Sequence, residues 1–276
     1  MRCVAIANQK GGVGKTTTCV NLSAALARMQ NRVLLIDLDP QGNASVGSGC
    51  DPRALQCSAY DVLVGEASVS KARISPEGLG FDLLPSNGDL TAAEMHLMHQ
   101  EGREYALKNA IREIRGDYDW IIIDCPPSLN LLTLNALAAA DSVLIPMQCE
   151  YYALEGLTAL LDTIEQVRAS VNPRLEIEGI LRTMYDVRNN LSSAVSDQLT
   201  ENFGEQVYRT LVPRNVRIAE APSYGLPVTH YDPESKGALA YLSLAGEMLR
   251  RHEKKNADRF AQVLSGKPAA SLETQR

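Results

Sequence analysis

Residues 8–17 read Asn8-Gln9-Lys10-Gly11-Gly12-Val13-Gly14-Lys15-Thr16-Thr17, the densest set of groups in the chain suited to holding an anion. Glycines let successive backbone N–H groups converge on one point without Cβ clashes. A helix starting at the end of such a loop adds free N–H groups and the positive end of its dipole. Lys15 offers a cation to β- and γ-phosphates, and the Thr16 hydroxyl offers a hard oxygen to Mg2+. The common pattern G-x-x-x-x-G-K-[ST] has glycine where this chain has Gln9, and a second lysine, Lys10, follows. One triphosphate needs only one such lysine, so Lys10 is expected to serve a phosphate bound by another subunit.

Carboxylates supply the rest of the chemistry. Arg32-Val33-Leu34-Leu35-Ile36-Asp37 is an apolar run ending in an acid, and Leu38-Asp39-Pro40-Gln41-Gly42 turns the chain directly afterwards. Asp37 and Asp39 are two residues apart in an extended segment and can face one site. Asp39 is expected to orient or activate an attacking water, and Asp37 to support the metal shell. A pair of turn-forming aspartates is the plainer reading of the same residues. Trp120-Ile121-Ile122-Ile123-Asp124-Cys125-Pro126-Pro127 repeats the pattern, and Asp124 fits a carboxylate that holds Mg2+ directly or through water.

These groups need a scaffold that ends several strands at one edge. Apolar runs of strand length alternate with helical patterns throughout. Cys3–Ala7, residues 32–37, 81–85, 119–124, 142–146, 177–184 and 207–212 read as strands, and Thr17–Met29, Asp89–Ile114, a long stretch to Ser170, Leu191–Phe203 and Gly237–Arg251 as helices. That alternation predicts an α/β fold with a single doubly wound, mostly parallel sheet flanked by helices. In such sheets the ligand crevice lies at the C-terminal ends of the strands. Residues 44–80 read as loop-dominated, with one helical piece near Tyr60–Val64. In the long helix Leu90, Met95, Leu97, Leu107, Ile111 and Ile114 are core candidates, and the Met95/Met98 pair reads as packing. The domain is expected to span residues 1–254, and residues 255–276 to form a disordered tail.

Composition narrows the class. A net charge of −6 excludes a strongly basic nucleic-acid binder but not a local basic patch. No apolar run reaches transmembrane length, and the first strand begins almost at once, which leaves no room for a signal peptide. Six scattered cysteines without a C-x-x-C pair point to a reducing cytoplasm and away from a structural metal cluster. Cys125 reads as a packed thiol.

Five stretches taken together resemble the chromosomal ParA/Soj branch of the ParA/MinD superfamily, whose phosphate loop is the deviant Walker A form K-G-G-x-G-K-[ST]-T. They are Lys10–Thr17, Asp37–Asn43, Ile121–Pro127, Gln148–Leu157 and Pro213–Ser223. The resemblance covers residues 1 to about 250. It implies a DNA-segregation ATPase using ATP and Mg2+. The ATP site would comprise Lys10, Gly11, Gly12, Val13, Gly14, Lys15, Thr16 and Thr17, with Pro213 and Asn215 against the adenine. Lys10, Lys15 and Asp39 would be catalytic, and Thr16, Asp37 and Asp124 would hold the metal, partly through water. It implies further that two ATP-bound subunits close face to face, with Lys10 reaching the partner's triphosphate. The dimer would bind non-specific nucleoid DNA, and a ParB-like centromere-binding protein would stimulate hydrolysis and release. The basic positions matching the DNA-binding surface are Arg188 and Arg217, then Lys236, Arg250 and Arg251. Glu234 stands where relatives often carry arginine, which weakens the edge of that patch. The absence of a helix-turn-helix before the first strand argues against operator binding.

Other functions of the same fold are set against this reading. A MinD-like membrane-cycling ATPase would need an amphipathic C-terminal helix, whereas Arg250–Lys255 is charged on all sides. An iron–sulfur carrier would need interfacial cysteines. A small-molecule kinase or ligase would need an acceptor pocket, on which the sequence is silent.

Overall fold

The structure, a computed structural model, describes residues 1–264. Seven strands form one sheet: β1 (Arg2–Ile6), β2 (Val33–Asp37), β3 (Asp82–Leu84), β4 (Trp120–Asp124), β5 (Ser142–Gln148), β6 (Glu176–Tyr185) and β7 (Val207–Pro213). Their spatial order is β3-β2-β4-β1-β5-β6-β7, and every neighbouring pair is parallel. The predicted doubly wound parallel sheet is therefore the observed one.

Parallel strands need crossovers, and twelve helices of the described residues supply or flank them. They are α1 (Lys15–Arg28), α2 (Asn43–Gly47), α3 (Ala59–Leu63), α4 (Val69–Ala72), α5 (Leu90–Leu97), α6 (Ala106–Ala110), α7 (Leu131–Ala139), α8 (Ala153–Ser170), α9 (Asn190–Phe203), α10 (Val216–Glu220), α11 (Val228–Tyr231) and α12 (Lys236–Leu264). Helices on both faces explain why the central strands read as unbroken apolar runs. Side chains alternate between two cores. Cys3, Ala5, Leu34, Ile36, Ile121, Ile123, Val143 and Ile145 join one layer with α3 and α5–α9. Val4, Ile6, Val33, Leu35, Trp120, Ile122 and Leu144 join the other with α1 and α12.

Register builds the functional edge. Ile6, the last residue of β1, pairs with Asp124 at the end of β4, and Asp37 at the end of β2 pairs with the same Asp124. Two carboxylates and the start of the loop after β1 therefore stand side by side, although the sequence separates them widely.

Four expectations are corrected. The helix foreseen over Asp89–Ile114 is broken: α5 stops at Leu97, Gly102 turns the chain at φ +70°, and a short 3-10 turn at Arg103–Tyr105 leads into α6. Side-chain periodicity survives such a break, so the pattern hid it. Leu90, Leu97, Leu107, Ile111 and Ile114 are buried as foreseen, but Met95 and Met98 are 72% and 55% exposed rather than packed. Residues 44–80 hold α2, α3, α4 and a 3-10 turn at Pro52–Ala54, more helix than expected. The last helix runs to Leu264 instead of ending near Arg251, so residues 255–264 are helical. Of the tail foreseen as disordered, residues 265–276 lie outside the described residues.

Candidate functional site

The loop after β1 takes the shape its glycines permit. Gly12 and Gly14 have φ of +73° and +87°, a left-handed backbone that a side chain would strain. A Cβ built on Gly11 or Gly12 would meet no atom within 4 Å, so the space above these amides is open to a ligand. Gly14 caps α1, whose first residue is Lys15. The Thr183 hydroxyl, at the end of β6, donates to the Val13 carbonyl oxygen at 2.7 Å and braces the loop from the side. Lys15 is buried, and its Nζ donates to the Lys10 carbonyl oxygen at 3.2 Å, across the loop it would serve. Lys10 points the other way: its Nζ meets Glu150 Oε2 at 2.5 Å in the solvent-exposed turn after β5.

Behind the loop lie the carboxylates. Asp124 is fully buried; Oδ1 accepts from Cys19 Sγ at 3.3 Å, and Oδ2 is buried without a hydrogen-bond partner. Burial first, then the charge of Asp37, push its pKa well above the carboxylate range, while Thr16 and Cys19 offset part of that rise. Asp37 is also fully buried and its pKa is raised by burial, though three donors hold it down. Those donors use both oxygens: the Asp39 amide bonds Oδ1 at 3.1 Å, and the Ser45 amide and hydroxyl bond Oδ2 at 2.8 and 2.7 Å. Asp37 thus ties the start of α2 to the end of β2 and adds negative charge behind Asp124. Asp39 is 8% exposed; Oδ1 accepts from the Gln41 amide at 3.0 Å, and its carbonyl oxygen takes the Gly42 amide and the Ser86 hydroxyl.

A Mg2+–nucleotide fits this set. Asp124 Oδ2 has no close hydrogen-bond partner and can accept from a metal-bound water, and the Thr16 hydroxyl faces the same carboxylate. Mg2+ keeps several waters and takes phosphate oxygens, so one hydroxyl and one carboxylate are sufficient protein ligands.

The remaining candidates divide between two ends of the sheet. Pro213 ends β7 opposite Tyr185, and Asn215 caps α10 through Oδ1 to the Ile218 amide at 3.2 Å. Both sit at the strand edge that bears the loop. Arg188 follows β6 and is 86% exposed at its side chain, paired with Asp186 at 2.8 Å. Arg217 follows β7, paired with Glu220 at 2.9 Å and Asp232 at 3.1 Å. Lys236 starts α12 beside Gly237, which packs on Ile218 of α10. These three share one end. Arg250 and Arg251 lie about 21 Å further along α12 at 1.5 Å per residue. Arg251 is taken up inside the chain: it bonds the carbonyl oxygens of Glu205 and Val207 and the carboxylate of Glu247, and stacks 4.0 Å above the Tyr208 ring.

Sequence reasoning assigned no role to Ser45, Cys19, Thr183 or Glu150. Ser45 and Cys19 carried a local signal, since each lies in the first turns of a helix that starts beside a candidate carboxylate or loop. Thr183 and Glu150 carried none, because they act across the sheet.

Comparison with known proteins agrees with this fold. A family model described as an AAA domain matches residues 1–177. The chromosome partitioning protein ParA of Caulobacter vibrioides is 52% identical over 259 residues, 93% of this chain and 97% of that protein. The sporulation initiation inhibitor protein Soj of Bacillus subtilis is 51% identical over 247 residues, 90% of this chain and 98% of that one. Among solved structures, a cobyrinic acid a,c-diamide synthase from Mycobacterium smegmatis with bound ADP and magnesium superposes with a TM-score of 0.81 at 42% identity, covering 92% of this chain and 96% of that one.

Proposed function

The chain belongs to the ParA/Soj family of chromosome-partitioning ATPases, and we propose that ATP joins two copies of it face to face into a dimer that binds DNA without sequence preference. The observation that carries this reading is the placement of Lys10. Its ammonium lies outside its own loop, half exposed, while Lys15 already serves that loop. A lysine so placed gains most from a triphosphate presented by a second subunit.

Each residue then has a task set by where it stands. The amides of Gly11–Lys15 and the Lys15 ammonium bind the phosphates, with Thr17 closing the first turn of α1 behind them. Thr16 would hold Mg2+, and Asp124 would hold one of its waters, with Asp37 fixing the turn behind. Bound Mg2+ neutralises charge on the phosphate oxygens. Asp39 orients the attacking water at the crevice edge. Pro213 and Asn215 flank the adenine. A dimer doubles every basic contact, so Arg188, Arg217 and Lys236 from two subunits form a cationic face on an acidic protein. Arg250 lies midway along α12, about 21 Å from Lys236, and Arg251 is internally engaged, so the DNA face is drawn without them. A ParB-like protein stimulates hydrolysis, which reopens the dimer and frees the DNA. The place of action is the cytoplasm at the nucleoid; no helix of the described residues is long and apolar enough to cross a membrane.

The likeness to a structure named as a diamide synthase favours a second reading, an ATP-dependent ligase. The partitioning relatives are more similar, at 52% against 42% identity. One experiment separates the two. DNA binding by Asp39→Ala is measured with ATP and with ADP over a salt series, and phosphate release by the native chain with no acceptor present. ATP-dependent binding that falls steeply with salt supports the partition dimer. ATP-dependent dimerisation with no DNA binding in either nucleotide state removes DNA from the mechanism.

A further inference from the structure

We propose that Ser86, together with Ser45, is a positioning residue for Asp39: the two serines close a buried ring of hydrogen bonds that fixes the main chain carrying the water-orienting carboxylate. The role of the serines rests on the reading of Asp39 given above; the ring itself does not.

The sheet brings the ring together. β2 and β3 are parallel neighbours, with Ile36 opposite Leu84. Asp39 and Ser86, just beyond that pair, therefore leave the sheet side by side. Both chains turn there, at Pro40 and Gly42 on one side and at Pro85 on the other. Gly42 has φ +63°, and a Cβ on it would stand 3.0 Å from the Ser86 carbonyl oxygen, so glycine is what lets the two turns approach.

Four hydrogen bonds run round the ring. The Asp39 amide donates to Asp37 Oδ1 at 3.1 Å. The Ser45 hydroxyl donates to Asp37 Oδ2 at 2.7 Å, and its oxygen accepts from the Ser86 amide at 2.9 Å. The Ser86 hydroxyl donates to the Asp39 carbonyl oxygen at 2.9 Å and so closes the circuit. That hydroxyl has a second acceptor near it, the Asn87 carbonyl oxygen, but at 3.5 Å. A hydroxyl has one proton to give, and the shorter bond takes it. Asp37, Ser45 and Ser86 are fully buried, and Asp39 is nearly so.

The ring grips Asp39 by its main chain on both sides, at the amide and at the carbonyl. A carboxylate that orients a water must be held to within about 0.5 Å, and an error in the main chain is carried outward by the side chain. Hydroxyls brace the turn without adding charge to a crevice that already holds Asp37, Asp39 and Asp124. Bonds in a closed buried network reinforce one another, so breaking the ring at either serine should release most of it.

The test uses the full chain carrying Ser86→Ala, Ser45→Ala or Asp39→Ala, alone and in pairs. Single-turnover phosphate release from labelled ATP should slow at least about tenfold in Ser86→Ala, with equilibrium ATP affinity within about twofold of native. Ser45→Ala makes the same comparison from the other side of the ring, so the test does not depend on one variant folding. The pair Ser45→Ala with Ser86→Ala should be within about twofold of the slower single variant, since both break one ring. Added to Asp39→Ala, Ser86→Ala should cause no further loss. Amide hydrogen exchange of the nucleotide-free chain reads the ring without turnover. Residues 39–42 should exchange at least about threefold faster in Ser86→Ala, while residues 10–17 keep their native rates. Native phosphate release or native exchange at residues 39–42 in Ser86→Ala would overturn the positioning role. So would a further loss on top of Asp39→Ala, or a fall in ATP affinity that matches the fall in rate. An Asp39→Ala protein that releases phosphate at the native rate would overturn the reading of Asp39, and hydrogen exchange would still show whether the serines hold its turn.

Discussion

Lys10 Nζ lies 2.5 Å from Glu150 Oε2, so the lysine thought to cross to a partner is already held by a carboxylate of its own chain. Both side chains are about half exposed, at 48% and 50%. An ion pair in that setting contributes about 0–1 kcal/mol. It is weak enough for a triphosphate, with several charges, to displace. Glu150→Gln should therefore leave the melting temperature almost unchanged and lower the ATP concentration needed for dimerisation by about two- to fivefold. Lys10→Ala should still bind ATP through Lys15 and the loop amides, yet stay monomeric in analytical ultracentrifugation. A Lys10→Ala protein that dimerises normally removes Lys10 from the interface.

Asp39 can lose its carboxylate without losing the turn that carries it. The turn is also held by the bonds to its carbonyl oxygen from the Gly42 amide and the Ser86 hydroxyl. Asp39→Ala should therefore fold, bind ATP with near-native affinity, and release phosphate at least about a hundredfold more slowly. Equilibrium nucleotide binding and single-turnover phosphate release check the two halves separately. An equal loss of both would show that Asp39 binds nucleotide rather than positions water.

Arg217 is balanced in the free chain by Glu220 and Asp232. DNA phosphates must compete with these two acids. Arg217→Ala should weaken DNA binding and lower the log–log salt slope by about 0.9 per lost contact, so about 1.8 for a dimer. ATP-driven dimerisation should be unaffected. Asp232→Asn should act in the opposite direction and tighten binding. Filter binding over a salt series measures both, and an unchanged affinity in Arg217→Ala would take it off the DNA face.

The sequence displayed those parts of the site that lie along single strands and turns. β2 and β4 were legible because strands buried on both faces become runs such as Ile121-Ile122-Ile123, and each run stops at an acid. The pairing of Asp37 with Asp124 was not, since β2 and β4 become neighbours only when the sheet forms. The Lys10–Glu150 pair and the Thr183 brace escaped notice for the same reason. Met95 and Met98 were misread because being apolar does not place a side chain: on α5 the buried face runs through Leu90, Ala93 and Leu97, Met95 lies on the opposite side, and Met98 follows the end of the helix. Arg251 read as a surface charge; its stacking on Tyr208 depends on α12 crossing β7.

The contact of α12 with β7 gives a pH prediction. Glu247 is 8% exposed and accepts from the amides of Arg209 and Thr210, both at 2.9 Å, the Thr210 hydroxyl at 2.8 Å, and Arg251 at 2.7 Å. Burial alone would raise its pKa, but the bonds from Arg209 and Thr210 and the Arg251 charge outweigh it, and the net shift is downward from 4.5. A carboxyl whose pKa is lowered by folding stabilises the fold above its unfolded pKa, and that contribution is lost as pH falls through the folded value. Glu247→Gln keeps the size but loses the charge and one acceptor, and should cost about 1–3 kcal/mol at pH 7. The gap between native and variant stability should be full above the unfolded pKa and shrink as pH falls through the lowered folded value, where the native carboxyl also becomes neutral. Urea titrations of both proteins at several pH values measure it. A gap that stays constant over that fall would mean that shape, not charge, is what Glu247 contributes where α12 meets β7.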